Sequence, residues 1–427
     1  MGGSFALRGD ICWSKSAAEL SCVKDGYLVC ENGVSRGVFE ELPAGLEGIE
    51  VIDRRGRLVV PGLVDLHLHA PQYGFRGLGM DLELLDWLDT HTFPEEGRYA
   101  DLGYAERAYQ VFADDLLHSA TTRAVVFGTI HVEPTLRLMD LLEETGLKTF
   151  VGKVNMDRNS PDYLRERSAK ASLSDTRLWL GRVGERGYEN TLPILTPRFT
   201  PSCTDELMAG LGQLREELRL PLQSHLSENL SEVEWVRELC PWSSCYGQTY
   251  ERFGHLSGDV PSVMAHCNYC PEEEIEILKG SGCFIAHCPQ SNTMLSSGIA
   301  PIRDYLERGM NVGLGTDIAG GASLSLFRAM ADAVGVSKLR WRCVDETLRP
   351  LSTSEAFYLA TAGGGSFFGK VGSFDQGFEF DALVLDDSAL RTTLECSLEE
   401  RLERYVYLEA EGGRICDKFV AGRRLQI

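Results

Sequence analysis

The sequence predicts an α/β protein built as a (β/α)8 TIM-type barrel with a small flanking β-sandwich domain drawn from both ends of the chain. Three observations carry the prediction. Eight short apolar or β-branched runs occupy the middle of the chain, stretches of helical period separate them, and turn-separated strand patterns appear at both termini. With 427 residues there is room for the ~250 residues such a barrel uses, for insertions, and for a second small core.

Residues 1 to about 60 hold short alternating runs such as GYLVCENG (26–33) and GVFEELP (37–43), which read as antiparallel strands. From residue 61 the rhythm changes. The runs LVDLHLH, RAVVFGTI, KTFVGKVNM, LPILTPRF, LPLQSHLS, SVMAHC, CFIAHCP and NVGLGTD are predicted as parallel strands one to eight. ERAYQVFADDLLHSA, TLRLMDLLEETG, TDELMAGLGQLREEL and EEEIEILKGSG are predicted as helices between them, the last two opening on capping or acidic residues. Excess length is expected in loops near 75–100 and 156–190. After about residue 368 the pattern returns to strands in KVGSFDQGFEFDALVLDDS and ICDKFVAGRRLQI. Each flank is too short for its own core, so residues 1–60 and 369–427 are expected to form one composite β domain beside a barrel of residues 61–368.

Composition narrows the function. Acidic residues outnumber basic ones 63 to 42, giving a formal charge of −21 that repels phosphate backbones. With no basic patch visible, no nucleic-acid partner is expected, and a neutral or weakly charged small molecule fits better. No apolar stretch approaches the ~18 residues of a membrane helix, so no membrane partner is expected. The segment MGGSFALRGDICWS lacks a secretory pattern, and Ala6 breaks the myristoylation pattern. Thirteen scattered cysteines, an odd number, suit reduced thiols in the cytoplasm.

Catalytic residues of a barrel lie at the C-terminal ends of its strands. Strand one ends in His67 and His69, strand five in His225, strand six in His266, strand seven in His287 and strand eight in Asp317, with His131 just past strand two. Any one of these histidines is more readily a core or surface residue; their joint placement at strand ends is what points to a metal. Alternate residues on a strand face the same way, so His67 and His69 can grip one ion. The expected ligands are His67, His69, His225 and Asp317. This nitrogen and carboxylate set suits catalytic zinc, with iron or manganese also compatible, and such an ion brings the pKa of bound water to ~7. Glu228, three residues after His225, can shuttle a proton or can simply be an acidic residue at a helix start; spacing leaves both open. His91, His118 and His255 keep structural readings. Cys267, Cys270, Cys283 and Cys288 lie on or beside buried strand runs and do not read as a zinc ribbon. Lys153 is expected to point outward or cap a cavity.

The His-x-His of strand one, the histidines of strands five and six, the Asp of strand eight and the flanking sandwich resemble the amidohydrolase superfamily. Strand four carries LTPRF without the bridging lysine of binuclear members, which implies a mononuclear deaminase. HLHAPQY, VNMDRNSPDYLRE, TPRFTPSC, HLSEN, MAHC, HCPQSN and GLGTDIAGG resemble the branch whose members deaminate guanine. The resemblance implies one Zn2+ per subunit (Fe2+ possible) on His67, His69, His225 and Asp317, with Glu228 as proton shuttle. It makes His266 and Asp317 holders of the water or intermediate, and assigns purine contacts to Gln72, Arg198, Phe199, His225 and Glu228. It also implies guanine and water as substrates and a homodimer. The alternatives are deamination or dechlorination of another purine, pterin or triazine, and a non-catalytic scaffold of the same fold.

Overall fold

The computed structural model describes residues 3–256 and 260–427. Strands from both ends of the chain join in one seven-stranded sheet. The segment Phe5–Ser16 pairs antiparallel with Glu19–Glu31 and parallel with Glu50–Pro61, which in turn pairs antiparallel with Ala382–Asp386 from the far end. The period-two alternation expected of strands decides which face each residue serves. Val59 and Val384 point into a cluster with Phe5, Leu7, Phe374, Phe380 and Phe419, while Leu58, Val60, Leu383 and Leu385 point the other way, into the main core.

All eight central runs form strands, and residues along them are almost continuously buried, as parallel strands covered on both faces require. They are organised as two four-stranded parallel sheets. One takes Leu63–His69, Thr121–Phe127, Lys148–Gly152 and Thr191–Pro193; the other takes Leu222–Leu226, Ser262–His266, Phe284–His287 and Asn311–Leu314. Backbone contacts cross between the sheets on both sides. Leu195 and Leu222 form a parallel bridge, and at the opposite edge Asp317 N–H donates to His67 O (2.8 Å) and His69 N–H to Ile318 O (2.9 Å). Strand four is interrupted, resuming at Thr196–Pro197 against Val154–Asn155. Pro193 and Pro197 have no N–H to give a ladder, which is why the run LPILTPRF does not pair continuously.

The four predicted helices form, over Leu102–His118, Val132–Thr145, Asp205–Leu218 and Glu272–Ser281. Three features differ from expectation. The stretch 156–190 is mostly not loop, because Ala169–Arg186 is an 18-residue helix. Its buried face is Ala169, Ser172, Thr176, Trp179 and Val183, so it lacks the apolar stripe that would announce it; Ser172 Oγ and Thr176 Oγ1 instead receive the buried Asn155 amide at 2.8 Å each. The stretch 75–100 is a chain of short helical turns rather than a simple loop. Lys153 also does not point outward: it is fully buried, paired with Glu166 at 2.5 Å and donating to Val154 O.

The composite sheet is tied to the parallel strands by a buried ion pair. Arg123 on strand two donates to both oxygens of Asp381 (2.6 and 3.1 Å) and to Glu379 (2.7 Å), and Asp381 also accepts from Ala421 N–H. Removing one partner of such a pair strands the other's charge. Arg123→Ala is therefore expected to lower stability by about 3 to 5 kcal/mol, read from the denaturant midpoint; a change under about 1 kcal/mol would refute this role.

Candidate active site

The ends of strands one, five, six and eight bring His67, His69, His225, His266 and Asp317 together. Asp317 Oδ1 lies 3.2 Å from His67 Nε2 and 3.5 Å from His69 Nε2, and His69 and His225 face each other through Nε2 atoms 3.1 Å apart. Local backbone explains how these side chains converge. Ser227, His266 and Asp317 all adopt positive φ (48°, 74° and 47°), a conformation L residues rarely take and one found where structure around a functional site enforces it. Beneath them Asp65 accepts from His67 N–H (3.2 Å), Thr316 N–H (3.0 Å) and Thr316 Oγ1 (2.5 Å), joining the first strand to the last.

These residues fit a metal ion on the structure's own terms. The ligand atoms of His67, His69 and His225, and of His67, His266 and Asp317, form two buried groups each within 4.8 Å. The Nδ1–H of His225 donates to Arg198 O (2.7 Å), which leaves its Nε2 a lone pair aimed at the centre. The Nε2 atoms of His67 and His266 are buried and face only the carboxylates of Asp317 and Glu228, at 3.2 and 3.3 Å. Burial and the neighbouring imidazoles hold His69 and His225 well below the ordinary histidine range, outweighing for His225 the hydrogen bond to Arg198 O that favours its charged form, so both are neutral and ligand-ready. Burial opposes ionisation of Asp317, yet His67, His266 and His69 pull its carboxyl below the usual range.

Glu228 stands beside this cluster, its Oε2 3.3 Å from His266 Nε2 and its Oε1 accepting from Ser297 Oγ (2.8 Å). Burial first, then Asp317 and Glu232, push the Glu228 carboxyl up to about 7. His266 is tethered from behind: its Nδ1–H donates to Asn292 Oδ1 (2.8 Å), Asn292 donates to Asn268 Oδ1 (2.9 Å), and Asn268 donates to Glu228 O (2.8 Å). Burial lowers His266, but Glu228, Asp317 and Asn292 outweigh it and the group ends above its ordinary value. A cavity opens over these groups, with Gln72, Arg198, Phe199, Trp87, Leu88 and Leu295 on its walls.

The family model described as "Amidohydrolase family" matches residues 58–415. The chain belongs to the amidohydrolase family. Among known proteins, this amidohydrolase is 36% identical to guanine deaminase of Dictyostelium discoideum over 411 residues, covering 94% of this chain and 88% of that protein. It is likewise 36% identical to guanine deaminase of Escherichia coli over 384 residues, covering 87% and 84%. Among solved structures, guanine deaminase from C. acetobutylicum with guanine bound in its active site superposes with a TM-score of 0.95 at 44% identity, covering 99% of this amidohydrolase and 100% of that chain.

Of the site residues expected from the sequence, His69, Gln72, Arg198, Phe199, His225, Glu228, His266 and Asp317 line this cavity, and His67 packs behind them against Asp317 and His225. His131 and His287, also at strand ends, fall outside both ligand groups, and burial takes His287 down to about 3. His255 is buried in a structural role, donating to Met208 O (2.8 Å). Among the described residues no cysteine joins a metal-ligand group. Sequence reasoning missed Glu96, Asn292 and Ser297, which hold Arg198, His266 and Glu228 respectively. Asn292 closes the HCPQSN run and had a signal in its spacing from His287; Glu96 and Ser297 had none, because only the fold brings them in. Phe127, which packs on the rings of His67, His69 and His225 at 4.5–5.0 Å, looked like ordinary strand core.

Proposed function

We propose that this amidohydrolase converts guanine and water to xanthine and ammonia. One observation carries the reading: a single cavity holds a proton-transfer carboxylate beside a four-histidine and aspartate cluster, facing an arginine and a glutamine suited to a purine edge. The similarity to relatives that are guanine deaminases, one solved with guanine bound, supports the choice of heterocycle.

His67, His69, His225 and Asp317 would hold one zinc ion per chain, and the same nitrogen and oxygen set would accept Fe2+. When bound there, the ion supplies Lewis acidity that makes water nucleophilic near neutral pH. The residues of the chain do the rest. Arg198 and Gln72 donate to acceptors on the purine, and Phe199 walls its flat face. Glu228 Oε2 takes a proton from the attacking water and gives it to the ring nitrogen beside C2; it then takes the second proton, from the hydroxyl formed at C2, and delivers it to the departing amino group. His266, fixed by Asn292, orients the water and the oxygen added at C2. The tetrahedral carbon collapses, the C2–N bond breaks, and ammonia leaves.

The scaffold belongs to the same proposal: a closed eight-stranded barrel of residues 61–368 with a composite domain of 1–60 and 369–427. The backbone contacts across both sheet edges support it. A homodimer, for which the family resemblance speaks, and a cytoplasmic location, which suits thirteen unpaired thiols, belong to the proposal as well.

Ammonia release from guanine by purified protein, with and without a chelator, tests the reaction. Release from another purine, pterin or triazine but not guanine would replace the substrate, and no release from any would revive a scaffold. Arg198→Ala is expected to reduce kcat/KM for guanine roughly 100-fold through loss of a charged hydrogen bond, with metal content unchanged. Loss of the metal in that variant would show the Arg198 side chain supporting the ligand cluster instead of the purine.

A further inference from the structure

Glu96 is an almost fully buried carboxylate on the short helix Phe93–Gly97, and it touches both side chains assigned to the purine. Its Oε1 accepts from Gln72 Nε2 (2.9 Å) and its Oε2 from Arg198 Nη1 (2.5 Å). Phe93, one helical turn earlier, lies under the same guanidinium at 5.3 Å. On the other side of Gln72, Ala319 N–H donates to Oε1 (3.2 Å). We infer that Glu96 is a positioning residue that fixes Gln72 and Arg198 as hydrogen-bond donors toward the substrate, so that the pocket selects a purine edge made of acceptors.

The argument is one of donors and acceptors. A carboxylate can only accept and a backbone N–H can only donate, so the Gln72 carboxamide has one permitted orientation. Flipping it would set oxygen against oxygen at Glu96 and N–H against N–H at Ala319, in a buried place where unmatched polar groups are costly. In the permitted orientation the second Nε2 hydrogen has no partner among the described residues, and Arg198 offers only donors by its nature. A free glutamine would read either kind of edge; a glutamine held by Glu96 reads one. The 6-oxo and N7 atoms of guanine are both acceptors, whereas a 6-aminopurine places a donor at the first position. A donor facing these groups leaves buried hydrogens opposed, and sites built in this way discriminate strongly.

The inference deepens the purine reading and rests on it. Its test uses zinc-loaded protein and two purines that carry no 2-amino group, hypoxanthine and adenine, so that binding is measured without turnover. Calorimetry is expected to show wild-type protein preferring hypoxanthine by about 100-fold or more. Glu96→Gln can donate as well as accept, releases the Gln72 flip, and is expected to cut the preference at least ~10-fold. Glu96→Asp keeps the charge beside Arg198 but is a methylene too short to hold both partners; it is expected to fall between the two and guards against a Gln variant that does not fold. A wild-type protein without the preference, a ratio unmoved in both variants, or equal weakening of both ligands overturns the inference. Ammonia release from guanine on the same wild-type preparation separates the two readings. No ammonia with the preference and its loss intact sinks the deamination alone; ammonia with an unmoved ratio sinks the role of Glu96 alone.

Discussion

Replacing Glu228 by glutamine is expected to lower kcat with guanine by roughly 10³- to 10⁴-fold while leaving the metal content and KM near their wild-type values. The substitution keeps the shape and the Ser297 contact, since an amide oxygen accepts from that hydroxyl as well as a carboxylate does. What it removes is an oxygen able to take a proton and return it. Burial, together with Asp317 and Glu232, pushes the Glu228 carboxyl up to about 7, where both steps are close to balanced at neutral pH. Steady-state kinetics and metal analysis on the same sample check the result. Near-normal kcat would remove Glu228 from the proton path and leave it as an acidic residue at the start of the following helix, the other reading its position allows.

The legibility of this site in the sequence follows from where each residue sits. His67 and His69 announce themselves because a period of two on a buried strand puts both rings on one side, and strand-end residues in a parallel α/β pattern have a known destination. His225, His266 and Asp317 follow by the same logic. Arg198 sits in a loop and Gln72 in the short helical turn Ala70–Phe75, where pattern gives no direction, and only the resemblance of TPRF and HAPQ marked them. Glu96 was beyond reach: it lies 102 positions before Arg198 on a helix too short to show periodicity, and its partner is set by how the 75–100 excursion folds back. The helix Ala169–Arg186 escaped because its inner face is built from Ser172 and Thr176, which bury by bonding Asn155 rather than by being apolar. Lys153 was misread for a related reason. A buried cation looks like a surface one until its partner is found, and Glu166 is 13 positions away across a loop.

Stripping the metal with a chelator is expected to abolish ammonia release from guanine, below about one thousandth of the loaded activity, and to lower the thermal midpoint by about 5 °C or more. The loss of activity follows from the donor set, which has no other evident use. Four imidazoles and a carboxylate crowd one buried point, with His69 and His225 nitrogens 3.1 Å apart and His67 Nε2 3.2 Å from Asp317 Oδ1. The loss of stability follows from the same geometry. Facing imidazole nitrogens held this close in a buried place oppose folding, and burial disfavours protonating His69 or His225 to relieve them. A cation binding only the folded chain offsets that opposition and stabilises by RT ln(1 + [L]/Kd), about 4 kcal/mol at a thousandfold excess over Kd. Restoring zinc should return both activity and midpoint. Full activity in metal-free protein would dismiss a catalytic ion, and an unchanged midpoint would mean that the cluster is satisfied without one.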